Sequence, residues 1–219
     1  MYERAAWTIA FALVLYYINH QEYPGPALTL TFVIVLIGLV MGAVGYGIAW
    51  LRGPGTQRVI ELVLAGLDLK GTERILDAGS EGGQLGLAAA RKLTSGKVIA
   101  LGDMAGNEAA REIARNEGLA DRIRFEPADW KRLPYPDGNF DCVIGSGLLG
   151  RLGTESQRKS AVHELCRVLK PGGTLILHEI SDLSALRRLL TEESLPPSLH
   201  DTSLPFGLGG GIVSARRPS

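Results

Sequence analysis

The fold of this chain is decided by the segment Arg74-Ile-Leu-Asp-Ala-Gly-Ser-Glu-Gly-Gly-Gln-Leu-Gly86. It begins as a short apolar strand that ends at Asp77, continues as a glycine-rich turn, and leads into the run 87–92, which is typical of a helix. A strand, a tight turn and a helix in this order bring backbone N–H groups and a helix N-terminus close to a ligand, which is how nucleotide-like cofactors are bound. The segment therefore predicts where the chemistry of this protein takes place.

Apolar periodicity around this segment switches repeatedly between strand and helix. The predicted strands are 74–77, 97–101, 123–127, 140–145, 174–178, a weak strand near 199–204, and 211–215, and the predicted helices are 59–67, 83–93, 107–117, 156–169 and 183–190. The helix at 156–169 is expected to end at the break Pro171-Gly-Gly173. This alternation predicts a mostly parallel sheet covered by helices on both faces, with the ligand at the carboxyl ends of the strands.

The N-terminal region, residues 1–53, differs from everything that follows it. Ala27 to Trp50 is a run of 24 uncharged residues, long enough to cross a hydrocarbon core of about 30 Å at about 1.5 Å per residue. The run from Ala5 to Asn19 is also uncharged but shorter, and no small-residue cleavage site follows it. We therefore expect an uncleaved hairpin of two transmembrane helices in residues 1–53, followed by one domain in residues 54–219.

Charged residues around this hairpin predict its orientation. Arg4 precedes the first helix, Arg52 and Arg58 follow the second, and the loop between the helices carries Glu22. Because basic residues favour the cytoplasmic side, both ends of the hairpin are expected there. The sequence thus predicts an integral protein of the bacterial inner (plasma) membrane with a cytoplasmic soluble domain, in contact with the lipid bilayer and able to bind membrane protein partners through residues 5–50.

Composition excludes several other classes of function. The chain has 23 basic and 23 acidic residues and a formal net charge of zero, and no segment forms a basic stripe, so a nucleic-acid partner is not predicted. Its two cysteines, Cys142 and Cys166, have neither metal-binding nor disulfide spacing. No metal site is predicted, and a reducing compartment is expected.

Acidic residues follow three consecutive predicted strands. Asp77 ends the first strand, and Asp103 and Asp129 come shortly after the second and third. Asp103 lies 20 positions past Gly83, a spacing at which a carboxylate accepts both hydroxyl protons of a ribose. Asp129, with Trp130 beside it, suits an adenine, since the carboxylate binds the exocyclic amine and the ring packs against the base. Each Asp alone also fits a helix cap or a turn.

In these motifs, residues from about 56 to 217 resemble the class I S-adenosylmethionine-dependent methyltransferases, in particular the compact type that modifies small molecules, lipids and quinones. The family's motif Asp-x-Gly-x-Gly-x-Gly matches Leu76-Asp-Ala-Gly-Ser-Glu-Gly-Gly83, and its second acidic residue matches Asp103. Two later motifs match Leu133-Pro-Tyr-Pro-Asp-Gly-Asn-Phe-Asp141 and Arg167-Val-Leu-Lys-Pro-Gly-Gly173.

The resemblance implies a Rossmann-like α/β fold, with a mostly parallel seven-stranded sheet whose last strand is antiparallel, here preceded by two transmembrane helices. It also implies S-adenosylmethionine as the cofactor. The residues that match the cofactor site are Asp77, Gly79, Glu81, Gly83, Asp103, Met104, Asp129, Trp130 and Ser146.

Two departures from the family pattern stand out. Glu81 replaces the middle glycine of the first motif, and its charge would oppose the cofactor carboxylate while favouring the amino group and the sulfonium. After the fourth strand, where relatives often have a histidine pair, this chain has Gly150-Arg151.

Methyl transfer from a sulfonium needs alignment and exclusion of water more than a nucleophile on the enzyme, so no catalytic triad is expected. His178 and Glu179, at the end of the fifth strand, are the best-placed residues for a general base or an acceptor contact. His178 is equally compatible with a packed or capping role.

These observations predict a membrane-anchored S-adenosylmethionine-dependent methyltransferase that acts on a small lipidic or amphiphilic acceptor by in-line methyl transfer. The alternative is a catalytically degenerate methyltransferase-fold subunit or scaffold of a membrane protein complex, because a fold alone does not establish activity. A nicotinamide-dependent dehydrogenase is disfavoured, since Glu81 interrupts the glycine spacing that it needs.

Overall fold

The computed structural model describes residues 35–46, 55–79, 81–103, 107–127, 129–130, 132–180, 183–201 and 210–219. The chain divides into two compact units, Met1–Arg52 and Gly53–Ser219.

The described part of the first unit is one helix, α1 (35–46). Its apolar side chains are exposed, including Ile37 at 57% and Met41 at 66%. Among the described residues no helix is both long and apolar enough to cross a membrane. The first predicted span, at 5–19, and the flanks of the second lie outside the described residues, so the transmembrane hairpin stays a prediction.

The second unit is built around a seven-stranded sheet in the order β3-β2-β1-β4-β5-β7-β6. Strands β1 to β5 run parallel to one another, and β7 runs antiparallel to both β5 and β6. This confirms the predicted mostly parallel Rossmann-like sheet with an antiparallel last strand. The strands are β1 (Arg74–Asp77), β2 (Lys97–Gly102), β3 (Ile123–Pro127), β4 (Phe140–Ser146), β5 (Leu169–Glu179), β6 (Pro197–Asp201) and β7 (Gly211–Arg216).

Helices cover both faces of this sheet. They are α2 (Thr56–Ala65), α3 (Gln84–Lys92), α4 (Glu108–Asn116), α5 (Leu148–Arg151), α6 (Glu155–Val168) and α7 (Leu183–Glu192), and a 3₁₀ turn, Glu81–Gly83, precedes α3. Consecutive residues of a strand point to opposite faces, and Ile75 and Leu76 show the result, since both are 0% exposed. Ile75 packs in the core beneath α2, α3 and α4, whereas Leu76 packs in the core beneath α5, α6 and α7.

The loop before β4 is fixed to helix α6 by Arg167. Its guanidinium donates to the backbone carbonyls of Leu133 and Tyr135, at 3.1 and 2.8 Å, and to the carboxylates of Glu164 and Asp137. Glu164 also accepts a hydrogen bond of 2.7 Å from the N–H of Leu133. The hydrogen bonds from Arg167 and from the N–H of Leu133 hold the pKa of Glu164 below its ordinary value.

Two elements differ from the sequence-based expectation. Pro171-Gly-Gly173, expected to lie in a break, is part of the long strand β5, because Gly172 N and Gly173 O pair with the backbone of Arg217 at 2.9 Å each. Helix α5 was not expected at all, since its four residues are too few to show a helical period.

Candidate active site

The three predicted carboxylates follow neighbouring strands at one edge of the sheet. Asp77 is the last residue of β1, Asp103 directly follows β2, and Asp129 comes two residues after the end of β3. Asp77 pairs in register with Ala100 of β2 and Ile144 of β4, so the carboxyl ends of these strands meet at the same edge.

These carboxylates have different surroundings. Asp77 is fully buried, and its Oδ2 atom lies 2.9 Å from the position that a Cβ atom would take on Gly86 in the first turn of α3. Asp103 and Asp129 are exposed. Asp77 is therefore a residue of the strand–helix junction, whereas Asp103 and Asp129 are open to a ligand.

The glycine-rich turn adopts a backbone conformation that explains its composition. Gly79, Gly82 and Gly83 have φ values of +83°, +67° and +65°, in the left-handed region that side chains disfavour. A Cβ atom on Gly83 would lie 2.7 Å from the ring of Phe125, while one on Gly82 would meet nothing within 4 Å. The turn thus leaves its backbone open at Gly82, and an open backbone is what lets a nucleotide-like cofactor approach closely.

Two of the predicted cofactor residues lie partly or wholly outside the part of the chain that the structure describes. Met104 is outside the described residues, and Glu81 is described in its backbone alone, at the start of the 3₁₀ turn. Their predicted contacts with the cofactor stay predictions.

The side chains of Trp130 and Arg151 both lie close to Gly79. A Cβ atom on Gly79 would lie 3.0 Å from Cζ2 of Trp130 and 3.2 Å from Nη2 of Arg151. Trp130 follows β3 and Arg151 ends α5, which follows β4. The site therefore includes Arg151, which the sequence singled out as a departure from the family pattern and not as a site residue.

Ser146 and His178 form a side-chain pair at the neighbouring strand ends. Ser146 is the last residue of β4 and pairs in register with His178 of β5. Ser146 Oγ lies 3.0 Å from His178 Nδ1, and the imidazole is 5% exposed. The sequence predicted both residues for the site, and the structure brings them together beside the glycine turn.

The carboxylate of Glu179 is bound to the backbone of the short helix α5. It is 1% exposed, and its Oε1 atom accepts a hydrogen bond of 2.9 Å from the backbone N–H of Leu149. Burial raises the pKa of Glu179 to about 7, against the opposing effect of the backbone N–H groups of α5. This carboxylate positions α5, and a direct catalytic role for it stays a prediction.

An open cavity of about 630 Å³ lies at the opposite edge of the sheet, away from these residues. Its lining mixes both signs of charge and includes Lys70, Glu73, Asp141, Lys170 and Arg216. Asp141 there is bound by Lys170 and by the N–H of Arg74, at 2.6 and 2.9 Å. The cavity is at the amino ends of the strands, where ligands of such sheets do not bind.

Comparison with known proteins agrees with this geometry. Residues 69–205 match the family described as "Methyltransferase domain". The chain is 32% identical over 126 residues to Methyltransferase GfsG of Streptomyces halstedii, an alignment that covers 57% of this chain and 44% of that protein. It is 33% identical over 111 residues to the ubiquinone/menaquinone biosynthesis C-methyltransferase UbiE of Pectobacterium atrosepticum, covering 50% of this chain and 43% of the relative.

Solved structures show the same fold. The [4+2]-cyclase SpnF superposes with a TM-score of 0.63 at 24% identity, over 74% of this chain and 80% of that chain. Geranyl diphosphate methyltransferase, solved with GPP and sinefungin, gives a TM-score of 0.62 at 16% identity, over 74% and 78% of the two chains.

The chain belongs to this methyltransferase domain family, because the family match covers more than half of its residues. Membership confirms the predicted cofactor, S-adenosylmethionine. The chain spans less than half the length of the two curated relatives.

Proposed function

We propose that this protein transfers a methyl group from S-adenosylmethionine to a small lipidic or amphiphilic acceptor. One observation carries the proposal, namely the order of groups along the carboxyl edge of the sheet. Asp129 and Trp130 follow β3, Asp103 follows β2, the Gly79 turn follows β1, and Ser146 ends β4. In this order Asp129 suits an adenine, Asp103 suits a ribose diol, and the Gly79 turn together with Ser146 suits a methionine end.

The chain's residues have distinct roles in this proposal. The cofactor supplies a methyl group already activated by its sulfonium. Asp103 accepts the ribose hydroxyl protons, and the open backbone beside Gly82 admits the cofactor closely. His178, paired with Ser146 at 3.0 Å, lies on the β4–β5 side of the glycine turn, where it can receive a proton from the acceptor.

The proposed acceptor class follows from the N-terminal unit. Helix α1 exposes Ile37, Val40 and Met41 by more than half, and an all-round apolar helix is typical of a lipid environment. Names of relatives also support the proposal, since UbiE is named for ubiquinone and menaquinone biosynthesis. An active domain tethered to a bilayer works at a high effective concentration of membrane-resident acceptors.

A labelling experiment tests this proposal. Membranes that contain the 219-residue chain are incubated with S-adenosylmethionine labelled in its methyl group, and the label is traced after organic extraction. We expect label in an extractable small molecule, and none above background with Asp103→Ala, a change at an exposed position. Label that appears in protein alone contradicts the proposed acceptor class.

The membrane anchor is tested separately. We propose that residues 1–53 form a hairpin that holds the chain in the bacterial inner membrane, with the methyltransferase domain on the cytoplasmic side. The chain is expected to stay in the membrane pellet after alkaline carbonate extraction, and a variant with Ile37→Lys and Val40→Lys is expected in the supernatant. Release of the unaltered chain contradicts the anchor.

A second candidate function is a methyltransferase-fold scaffold in a membrane complex. It is favoured by the side chains of Trp130 and Arg151 against Gly79 and by Glu81 in the glycine motif. Calorimetry of the 219-residue chain in detergent with S-adenosylmethionine separates the two candidates. Saturable binding supports the enzyme, and a folded chain that takes up no cofactor supports the scaffold.

A further inference from the structure

We propose that Arg151 binds the carboxylate of the cofactor's methionine end. This inference rests on the proposed use of S-adenosylmethionine and assigns one of its contacts to a residue outside the family motifs.

The location of the guanidinium is the first argument. Nη2 of Arg151 lies 3.2 Å from the Cβ position of Gly79, at the end of β1, and donates to the backbone carbonyl of Ser146, at the end of β4, over 3.2 Å. Since Asp103 and Asp129 lie on the β2 and β3 side of the turn, the adenosine is expected there. The opposite end of the cofactor then lies between β1 and β4, beside Arg151.

Charge at this edge is the second argument. Asp77, Asp103, Asp129 and Glu179 all lie at or just after the ends of neighbouring strands, and Glu81 adds a further acidic residue to the turn. A cation beside Gly79 attracts an incoming carboxylate. Around Gly79, within the described part of the chain, Arg151 supplies that cation.

The guanidinium also has donors to spare. Arginine carries five N–H donors in a planar fork that matches a carboxylate. In the described part of the chain, Arg151 uses one of them, towards Ser146 O. The remaining donors can bind both oxygens of an incoming carboxylate without loss of the contact that orients the side chain.

Helix α5 fixes where this arginine can reach. The helix has four residues and ends at Arg151, and Glu179 holds it through the N–H of Leu149. The buried carboxylate of Glu179 is thus a positioning residue for Arg151.

The test compares two ligands that differ in the carboxylate alone, S-adenosylmethionine and its decarboxylated analogue. Calorimetry of the 219-residue chain in detergent gives both dissociation constants for the unaltered protein, Arg151→Gln and Arg151→Lys. The matched control is Arg188→Gln, which removes an exposed arginine of α7 that pairs with Glu155. Melting temperatures verify that each variant is folded.

We expect Arg151→Gln to raise the dissociation constant of S-adenosylmethionine about ten- to hundredfold, the range for a lost charge-assisted hydrogen bond. Affinity for the decarboxylated analogue is expected to stay the same, Arg151→Lys to be intermediate, and Arg188→Gln to change neither. If Arg151→Gln weakens the binding of both ligands equally, or changes neither affinity, the proposed role of Arg151 is overturned while the proposed function is not. If the unaltered protein binds neither ligand, the proposed function fails together with it.

Discussion

Glu179, at the end of β5, accepts a hydrogen bond of 2.9 Å from the backbone N–H of Leu149 in α5. This contact joins the centre of the sheet to the helix that carries Arg151, so one buried carboxylate connects the core with the rim of the crevice.

The pH dependence of stability is expected to reveal this carboxylate. Burial raises the pKa of Glu179 from an ordinary 4.5 to about 7, so the folded protein keeps a proton that the unfolded chain releases. The contribution of Glu179 to the free energy of unfolding is fully present below pH 4.5 and is lost as the pH rises through 7. The loss is about 3 kcal/mol. Urea unfolding of the chain and of Glu179→Gln from pH 4.5 to pH 8 measures it, and we expect a flatter profile for the variant. Parallel profiles contradict the raised pKa.

Arg167 is expected to be critical for stability. Arg167→Ala leaves Glu164, which is 6% exposed, without its ionic partner and releases the carbonyls of Leu133 and Tyr135. We expect a loss of about 2–4 kcal/mol in the free energy of unfolding, measured with urea. The control, Arg188→Gln, removes an exposed ion pair and is expected to cost less than about 1 kcal/mol. Equal losses in the two variants contradict the conclusion that Arg167 holds the loop before β4 to helix α6.

Gly79 in the glycine turn and Gly172 in β5 are a matched pair of positions for substitution by alanine. Both have positive φ, +83° and +74°, so an alanine at either position costs about 1–2 kcal/mol in backbone strain. A Cβ atom on Gly172 meets nothing within 4 Å, whereas one on Gly79 lies 3.0 Å from Trp130. We expect Gly79→Ala to lower the free energy of unfolding in urea by about 1–3 kcal/mol more than Gly172→Ala does. We also expect Gly79→Ala to weaken the binding of S-adenosylmethionine, while Gly172→Ala leaves cofactor affinity unchanged. A similar affinity in both variants argues against the turn as the binding site.

His178 is expected to act on the acceptor and not on the cofactor. If it receives the acceptor's proton, His178→Asn lowers the methyl-transfer rate by about 10²–10⁴ and leaves the dissociation constant of S-adenosylmethionine unchanged. Ser146→Ala removes the 3.0 Å contact to Nδ1 and is expected to have a smaller effect in the same direction. Rates from the labelling assay and affinities from calorimetry separate these effects. A parallel loss of cofactor affinity indicates a packing role for His178 instead.

Local patterns predicted the sheet of the methyltransferase domain well. The strands Arg74–Asp77 and Ile123–Pro127 have the predicted bounds, because a short buried or alternating pattern between turns is typical of a strand. Local sequence predicts a break at Pro171-Gly-Gly173 and not a strand, since the backbone of Arg217 that pairs with this segment lies far along the chain. The short helix α5 gave no periodic signal, and its N–H groups are bound by Glu179, which follows about 30 residues later.

The sequence by itself determined the fold class, the glycine turn and the acidic residues after the strands, because these depend on neighbours in the chain and on the parallel pairing that the alternation imposes. Tertiary structure decided which side chains meet at the turn. It buried Asp77 against α3, left Asp103 and Asp129 exposed, and brought Trp130 and Arg151 to Gly79. Gly79 lies about 50 and 70 positions from Trp130 and Arg151 in the sequence. The packing of α5 on Glu179 places Arg151, and no local pattern encodes contacts between such distant residues.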